Sequence, residues 1–257
     1  MIEPIHSLAG LLVGLLVGLT GVGGGSLMTP ILVLLFGFAP KTAVGTDLLF
    51  AAATKSVGTL VHGMKGSVDW RIVRRLATGS IPATIVTLLI LSVADDRLGD
   101  TSRAISIVLG GVLVLTSVGV FARERIVRWL APRMQRVTDR RVALLTVIVG
   151  MVLGTLVSLT SVGAGALGMT VLLVLYSRAP VSRLVGSDIA HAVPLTLVAG
   201  IGHFWLGSID FGLLLSLLIG SVPGVIVGSL LASRVPERTL TLVLASMLGL
   251  VGVKLLL

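Results

Sequence analysis

The sequence Leu19-Thr20-Gly21-Val22-Gly23-Gly24-Gly25-Ser26-Leu27 is a glycine run that lies between two apolar segments. It recurs once, as Leu159-Thr160-Ser161-Val162-Gly163-Ala164-Gly165-Ala166-Leu167. Water cannot satisfy free peptide groups inside a bilayer, so unwound backbone is tolerated there only where protein buries it or where it lines a polar cavity. Two such helix breaks at matching positions in two halves of a chain indicate the binding site of a transporter.

The composition of the chain predicts an all-α, polytopic membrane protein. Of its 257 residues, 55% are hydrophobic and only 12% are charged, and the mean hydropathy is +1.10; about a quarter of the residues of soluble proteins are charged. The formal charge of +9 comes from Lys and Arg in short loops, where such residues report membrane topology rather than nucleic-acid binding. The absence of cysteine excludes disulfides, thiolate metal sites and thiol catalysis. The first apolar segment lacks a basic stretch before it and is expected to be retained rather than cleaved as a signal peptide.

Ten apolar segments are predicted, five on each side of a basic linker that is expected to be cytoplasmic. The linker is residues 122–141 and contains seven arginines. It divides the chain into a first transmembrane repeat, 1–121, and a second, 142–257, which together form one membrane unit. The predicted segments are 7–20, 27–38, 43–61, 71–93, 101–121, 142–160, 166–177, 184–203, 211–233 and 238–257.

The two halves are repeats of each other. A shift of 140 residues superimposes the glycine runs, and a shift of 141 superimposes the motifs that follow. The matched motifs are Gly45-Thr46-Asp47 with Gly186-Ser187-Asp188, His62 with His203, Gly66-Ser67-Val68-Asp69 with Gly207-Ser208-Ile209-Asp210, and Gly79-Ser80-Ile81-Pro82 with Gly220-Ser221-Val222-Pro223. Agreement in order and at this density predicts a duplication.

An odd number of segments in each half predicts that the halves cross the membrane in opposite directions. The alternative counts each glycine-broken pair as one span, which gives parallel repeats. With the linker in the cytoplasm, inverted repeats place fifteen Lys and Arg inside against four outside, and parallel repeats place twelve against seven. Because cytoplasmic loops carry the excess of basic residues, we expect inverted repeats with both termini outside. Segments 7–20 and 27–38 are too short to cross about 30 Å of hydrocarbon comfortably, which makes them candidate half-helices of a re-entrant hairpin.

The glycine runs are candidate anion sites. Glycine permits positive φ and close approach of a ligand, and the helix that begins near Ser26 presents free N–H groups and a positive dipole end. In an inverted pair the two runs would converge near the membrane midplane. The alternative is that small residues only allow close helix packing. The candidate substrate-binding residues are Thr20, Gly21, Gly23, Gly24, Gly25, Ser26, Lys55, Thr160, Ser161, Gly163 and Gly165.

Ionisable residues within the apolar segments are further candidates. Lys55 lies near the middle of segment 43–61, where a charge costs about 2.5–3.5 kcal/mol. It is expected to meet an anionic substrate or to pair with Asp47 or Asp188, and snorkelling to the interface is the alternative. The two aspartates follow Gly-Thr and Gly-Ser pairs, which is typical of helix N-caps, and binding of a coupling ion is the alternative. Asp188 shares a helical face with His191, three residues later.

Two histidines, His62 and His203, end their segments. We expect them either to structure the loops that follow, as imidazolium groups at helix C-termini, or to act as gates or proton relays. The coupling or gating candidates are therefore Asp47, Asp188, His191, His62 and His203. Nucleophile motifs, phosphate-binding loops and HExxH are absent from the sequence, and the four histidines lack metal-site spacing. No enzyme activity, cofactor or metal is expected.

The glycine-rich first hairpin, the Ala-Val-Gly-Thr-Asp segment at 43–47, the Val-Gly-Ser-Asp segment at 185–188 and the repeated Gly-Ser-(Ile/Val)-Pro resemble the TauE/SafE family. The resemblance spans both halves. The family is described as sulfite exporters and also as toluene sulfonate uptake permeases. It implies a multi-pass transporter of sulfur-containing anions, such as sulfite, sulfoacetate or other organosulfonates, in the plasma (inner) membrane of a bacterium or archaeon. The second run departs from the fuller glycine pattern at Ser161, Ala164 and Ala166.

The membrane potential bears on the direction of transport. An inside-negative potential of about 100 mV favours expulsion of a monoanion by about 2.3 kcal/mol, so export can run uncoupled, whereas import needs H⁺ or Na⁺. We expect an exporter that alternates access around a midplane site; the alternatives are an anion channel and a non-transporting membrane scaffold or partner subunit. The expected partners are a small anionic substrate, the lipid bilayer and a coupling ion, H⁺ or Na⁺, with no nucleic acid. Assembly as a homo-oligomer is left open.

Overall fold

The described part of the chain is built from α-helices. A computed structural model describes residues 4–20, 25–64, 66–98, 102–163, 165–231 and 237–257. Within these ranges there is no strand. The helices are α1 (Pro4–Thr20), α2 (Gly25–Leu34), α3 (Pro40–Met64), α4 (Trp70–Leu98), α5 (Ser102–Phe121), α6 (Arg123–Met134), α7 (Asp139–Thr160), α8 (Ala166–Leu175), α9 (Val181–Trp205), α10 (Phe211–Leu231) and α11 (Glu237–Leu256).

Five of the described helices, α4, α5, α7, α9 and α10, are long and apolar enough to cross a membrane. The prediction of an all-helical, polytopic membrane protein is therefore confirmed. Helix α3 contains the predicted segment 43–61 but is not among the five, because it carries polar and ionisable residues along its length. Helices α2 and α8 have only 10 residues each, which is about 15 Å of helix against about 30 Å of hydrocarbon.

Two pairs of helices from different halves pack in parallel at close range. Helix α1 lies along α10, where a Cβ on Gly10 would collide with the backbone of Leu217 and one on Gly14 would collide with the backbone of Ser221. Residue numbers increase together along the contact, so the two helices point in the same direction. Helix α4 lies along α7 in the same way. Small residues let helix backbones approach closely in a membrane, where packing drives helix association.

Helices α3 and α9 pack against each other in antiparallel orientation. Near the start of α3, Gly45 lies against the carbonyl oxygen of Ser208, which follows the end of α9. Near the start of α9, Gly186 lies against the carbonyl oxygen of Ser67, which follows the end of α3. The two contacts are equivalent under the sequence shift of 141 residues, and a side chain larger than hydrogen would break either one.

Helices α5 and α11 also run antiparallel. Ser117 Oγ donates a hydrogen bond of 2.8 Å to Ala245 O, whereas Gly110, about two turns earlier on α5, lies against Gly252 of α11. Helices α3 and α9 occupy the same place in their halves, as do α5 and α11. The two members of each of these corresponding pairs therefore point in opposite directions.

The short helices α2 and α8 are buried inside the bundle. Met28 and Leu32 of α2 pack against apolar residues of α1, α3 and α10. Met169 and Leu172 of α8 pack against apolar residues of α4 and α9. None of these four side chains is more than 2% exposed. This packing fixes α2 beside α3 and α8 beside α9.

The linker between the halves contains helix α6, which the sequence analysis did not assign. The helix packs against α8. On its exposed side, the Arg133 guanidinium stacks on the ring of Trp129 at 3.6 Å from the ring centroid. A basic helix with an exposed tryptophan is typical of the boundary between membrane and water.

Candidate functional site

Four ionisable side chains lie inside the bundle on two neighbouring helices. Asp47 and Lys55 belong to α3, and Asp188 and His191 belong to α9. Asp47 and His191 are fully buried, and Asp188 and Lys55 are only 4% and 7% exposed. Because α3 and α9 pack against each other, the structure brings together four of the residues that the sequence analysis selected separately.

The sequence interpretation of Asp47 and Asp188 as helix N-caps is wrong. Each is the eighth residue of its helix, since α3 begins at Pro40 and α9 begins at Val181 after Pro180. Proline is favoured at the first helical position because its missing N–H has no intrahelical partner there. The helices therefore begin two turns earlier than the Gly-Thr/Ser-Asp motifs suggested, and both carboxylates are free to contact other helices.

Asp47 binds the beginning of α2. Its Oδ2 accepts hydrogen bonds from Thr29 N–H at 3.1 Å and from Thr29 Oγ1 at 2.6 Å. A carboxylate at a helix amino-terminal end is favoured by the helix dipole and by donors of this kind. Asp47 Oδ1 has no hydrogen-bond partner. Thr29 was not among the predicted site residues, because a contact between α2 and α3 depends on how the two helices pack.

Asp188 occupies the corresponding place beside α8 but makes different contacts. Its Oδ1 lies 2.7 Å from the point where a Cβ on Gly168 would be, so the missing side chain leaves room for the carboxylate. Met169 stands where the first half has Thr29, and its N–H binds Gly165 O at 3.3 Å within its own segment. The hydroxyl of Thr170, also on α8, donates to Ala166 O. Asp188 consequently receives no hydrogen bond from the described residues, and its Oδ1 is unpartnered.

Lys55 lies in the electrostatic field of both carboxylates. It interacts through space with Asp188 and with Asp47, and His191 is also close enough to interact with it. Among the described residues Lys55 forms no salt bridge. The ammonium group is thus buried between helices without a direct ionic partner, and snorkelling along an exposed face does not describe its position.

The chain between α7 and α8 contributes Ser161. This residue ends α7 in the left-handed conformation, with φ of 58°, and Gly163 follows with φ of 118°. The Ser161 side chain is buried beside Asp47, and its Oγ has no partner within hydrogen-bond distance. Thr160 is engaged within the chain, because its hydroxyl donates to Leu156 O at 2.7 Å and accepts from Val162 N–H at 3.1 Å. Ser161 therefore joins the site, and Thr160 holds the shape of the turn.

The two buried histidines have one engaged nitrogen each. His191 Nε2 shares a hydrogen bond of 2.8 Å with Ser80 Oγ of α4, and its Nδ1 is unpartnered. His203 Nε2 donates to Ser158 O at 2.8 Å near the end of α9, and its Nδ1 is likewise unpartnered. His203 binds α7 and not Lys55 or the aspartates, so the structure places only His191 with them.

Part of the first glycine run lies outside the described residues. This applies to Gly21, Gly23 and Gly24, and to the side chains of Thr20, Ser26 and His62. Gly25 is the first residue of α2, and Gly165 immediately precedes α8.

Two reciprocal hydrogen bonds connect the halves at the ends of α3 and α9. Ser187 Oγ accepts from Asp69 N–H at 2.8 Å, and Thr46 Oγ1 accepts from Asp210 N–H at 3.1 Å. Each hydroxyl comes from a Gly-Thr/Ser-Asp motif of one half, and each N–H from the Gly-Ser-(Val/Ile)-Asp motif of the other. The sequence analysis found both motifs without this pairing, although their common shift of 141 residues was the available signal.

We call Asp47, Lys55, Ser161, Asp188 and His191 the central polar cluster. Four of its buried atoms, Asp47 Oδ1, Ser161 Oγ, Asp188 Oδ1 and His191 Nδ1, have no hydrogen-bond partner. Buried polar groups are nearly always paired in native proteins, so a concentration of unpaired ones indicates that water, an ion or a ligand binds there. The described residues contain no group of His, Asp and Glu with the geometry of a metal site. The cluster offers one cation, neutral donors and two carboxylates, which suits reversible binding of a charged solute.

Comparison with known proteins gives a match over nearly the whole chain. A family model described as "Sulfite exporter TauE/SafE" matches residues 7–255. A "Probable membrane transporter protein YjnA" from Bacillus subtilis strain 168 is 40% identical over 250 residues, which cover 97% of this chain and 98% of the relative. A second, "Probable membrane transporter protein YdhB" from the same organism, is 26% identical and covers 89% of this chain and 90% of its own length. A "Probable membrane transporter protein" from Xylella fastidiosa strain 9a5c is 27% identical, with 88% and 83% covered. No solved structure matches the chain.

Proposed function

From the premise that the chain belongs to the sulfite exporter TauE/SafE family, we propose that it transports small sulfur-containing anions, such as sulfite or organosulfonates. That it is a multi-pass membrane transporter follows from the family, from relatives named as membrane transporters and from its apolar helices. The substrate class, the direction and the mechanism are our proposal. The plasma (inner) membrane of a bacterium or archaeon is the proposed location.

The observation that carries the proposal is Lys55 inside the central polar cluster. A buried ammonium group is expensive in a membrane protein unless it serves a function, and this one forms no salt bridge among the described residues. Ser161 Oγ and His191 Nδ1 are unpartnered nearby and can each donate a hydrogen bond to an oxyanion. We propose that Lys55 supplies the positive charge for the substrate and that these two groups orient it.

The short helices support anion binding at the same place. The amino-terminal ends of α2 and α8 lie beside Asp47 and Asp188. One helix amino terminus contributes about 0.3–1 kcal/mol to binding of a negative charge, and up to about 2 kcal/mol when it is partly buried. That is too little to offset desolvation of a sulfite or sulfonate group, so the helix ends require Lys55 as well. The glycine residues of the first run remain proposed substrate contacts on this argument.

The helix packing supports inverted repeats and alternating access. Corresponding helices α3 and α9 point in opposite directions, as do α5 and α11, whereas parallel repeats would make the members of each pair parallel. The pair α1 with α10 and the pair α4 with α7 exchange places when the halves are exchanged. Inverted repeats around a central site are the architecture of many secondary transporters, in which one unit moves against the other.

Export is the direction that we propose for an uncoupled monoanion. An inside-negative potential of about 100 mV favours its expulsion by about 2.3 kcal/mol. A channel would pass the same anion down the same gradient but would show neither saturation nor counterflow. A scaffold or partner subunit would tolerate loss of the Lys55 charge as long as the protein folds.

The test is flux of radiolabelled sulfite and organosulfonates into proteoliposomes. We expect saturable flux and counterflow in the wild type, and loss of flux to the level of empty liposomes in Lys55→Ala. Lys254→Ala is the matched control, since it makes the same chemical change at an exposed position on α11 and should transport normally. If Lys55→Ala is folded and transports as well as Lys254→Ala, the central polar cluster is not the substrate site.

A further inference from the structure

The two buried aspartates are equivalent in the repeat but differ in their surroundings. Asp47 is held by two hydrogen bonds from Thr29, one of them only 2.6 Å long. Donors of this kind stabilise an ionised carboxylate. Asp188 has no such donor among the described residues, because Met169 replaces threonine at the corresponding position of α8. One half therefore fixes a charged carboxylate, and the other leaves its carboxylate without hydrogen bonds.

The charged and titratable groups around Asp188 are few. Lys55 and, through it, Asp47 face it from α3, and His191 shares its own helix. Helix α8 contains no ionisable residue. The ionisable residues of α4 and α7 lie near the ends of those helices, away from Ser80, which marks the level of His191 on α4. Lys55 is therefore the main partner that stabilises Asp188 in its ionised form.

An anion that binds Lys55 competes directly with this role. With both aspartates ionised, the Asp47, Lys55 and Asp188 group has a net charge of −1, and a bound monoanion would make it −2 inside the bundle. Concentrated negative charge is strongly disfavoured in a low-dielectric interior. Uptake of one proton by Asp188 restores the net charge to −1. The neutral carboxyl then also has an O–H with which to donate a hydrogen bond to the substrate.

We propose that Asp188 takes up one proton when a monoanion binds at Lys55, so that anion and proton cross the membrane together in a ratio of one to one. Asp47 stays ionised and holds α2 in place. This inference rests on the proposed function, because it uses the anion site at Lys55. It selects the proton over Na⁺, since a sodium ion would need several oxygen ligands and would be repelled by the lysine.

One-to-one coupling changes what drives transport. A monoanion and a proton carry no net charge together, so the membrane potential no longer assists export. The direction then follows the sum of the anion and proton gradients. At equilibrium, a difference of about one pH unit sustains about a tenfold anion accumulation on the alkaline side, since each tenfold ratio corresponds to one pH unit.

The first arm of the test uses the wild-type protein without substrate. A hydrophobic carbodiimide reacts with protonated, buried carboxyls, and peptide mass spectrometry locates the adduct. We expect labelling at Asp188, with little at Asp47, and protection of Asp188 as the pH is raised. Labelling of Asp47 instead, or of neither residue at any pH, would overturn the inference. This arm needs neither a variant nor a known substrate.

The second arm measures sulfite flux in proteoliposomes with an imposed pH gradient or a potassium diffusion potential. Wild-type flux should follow the pH gradient and ignore the potential. Asp188→Asn, which is neutral at all pH values, should lose the response to the pH gradient and become driven by the potential. Asp188→Glu should keep the wild-type response. An Asp188→Asn protein whose flux still follows the pH gradient would overturn the inference.

The two arms separate the inference from the proposed function. If no sulfur anion moves while Asp188 is labelled in a pH-dependent way, the proposed substrate is wrong and the proton site stands. If sulfite moves with saturation while Asp188 is never labelled, the proposed function stands and the proton site is wrong.

Discussion

Thr29 is the single side chain that most clearly distinguishes the two halves of this transporter. Its hydroxyl and N–H both bind Asp47, although the two residues belong to different helices. The second half has methionine at this place and leaves Asp188 without such a donor. A duplication that began with equivalent halves has thus produced two carboxylates that are suited to different tasks.

We predict that Thr29→Val lowers the stability of the purified protein. The substitution keeps the shape of the side chain but removes the 2.6 Å hydrogen bond to a buried carboxylate. Hydrogen bonds to charged groups contribute about 1.5–3 kcal/mol to the free energy of unfolding. Thr170→Val is the matched control, because that hydroxyl binds only a carbonyl of its own helix. Equal loss of thermal stability in the two variants, measured in detergent, would contradict the role assigned to Thr29.

How much of the site could be predicted depends on the range of the contacts. Lys55, Asp47, Asp188 and His191 were predicted because a charge inside an apolar segment is visible in the sequence. The pairing of Asp47 with Thr29 was not predictable in this way, because nothing in either residue's local sequence specifies how α2 packs on α3. The N-cap interpretation failed for a local reason, since the proline at each helix start was the stronger signal and was overlooked.

At the level of elements, the ends of α3 and α9 are tied to the opposite half. Thr46 binds the N–H of Asp210, just before α10, and Ser187 binds the N–H of Asp69, just before α4. A glycine next to each hydroxyl, Gly45 or Gly186, lets the loop of the other half approach. Each tie therefore secures a loop of one half with a side chain of the other.

We predict that the two ties can be opened separately. Ser187→Ala should accelerate amide hydrogen exchange at Asp69 and its neighbours and leave the loop at 206–210 unchanged. Thr46→Val should do the reverse. The expected effect is modest, because a neutral hydrogen bond contributes about 0.5–1.5 kcal/mol. Exchange that rises at both loops in either variant would show that the two ties open together.

Helix positions were predictable where the pattern was long and apolar. The predicted segments 142–160 and 166–177 correspond closely to α7 (Asp139–Thr160) and α8 (Ala166–Leu175). Helix α6 was missed because its twelve residues are rich in arginine and contain a proline, features that gave no apolar periodicity. Its packing against α8 is a tertiary contact that the linker sequence does not encode locally.

At the level of the whole molecule, the arrangement of helix directions makes the topology testable. The natural chain has no cysteine, so a single introduced cysteine reports only its own position. With inverted repeats, Ser177→Cys faces the cytoplasm and Trp205→Cys faces the outside, whereas parallel repeats reverse both. We expect a membrane-impermeant maleimide added to intact cells to label Trp205→Cys alone. Gln135→Cys, in the linker, is the reference for the cytoplasmic side, and labelling of Ser177→Cys in intact cells would contradict inverted repeats.

The exchange of partners between the halves has a consequence for the origin of the protein. Helix α1 packs along α10 and α4 along α7, so neither half keeps its first and fourth helices together. An ancestor with only one half would have left these glycine-lined faces uncovered, unless a second copy inserted upside down beside it. The interlocked packing therefore points to an ancestral gene whose product entered the membrane in both orientations and worked as an antiparallel dimer. Fusion of two such genes then froze one orientation for each copy, after which Thr29 and Met169 were free to diverge.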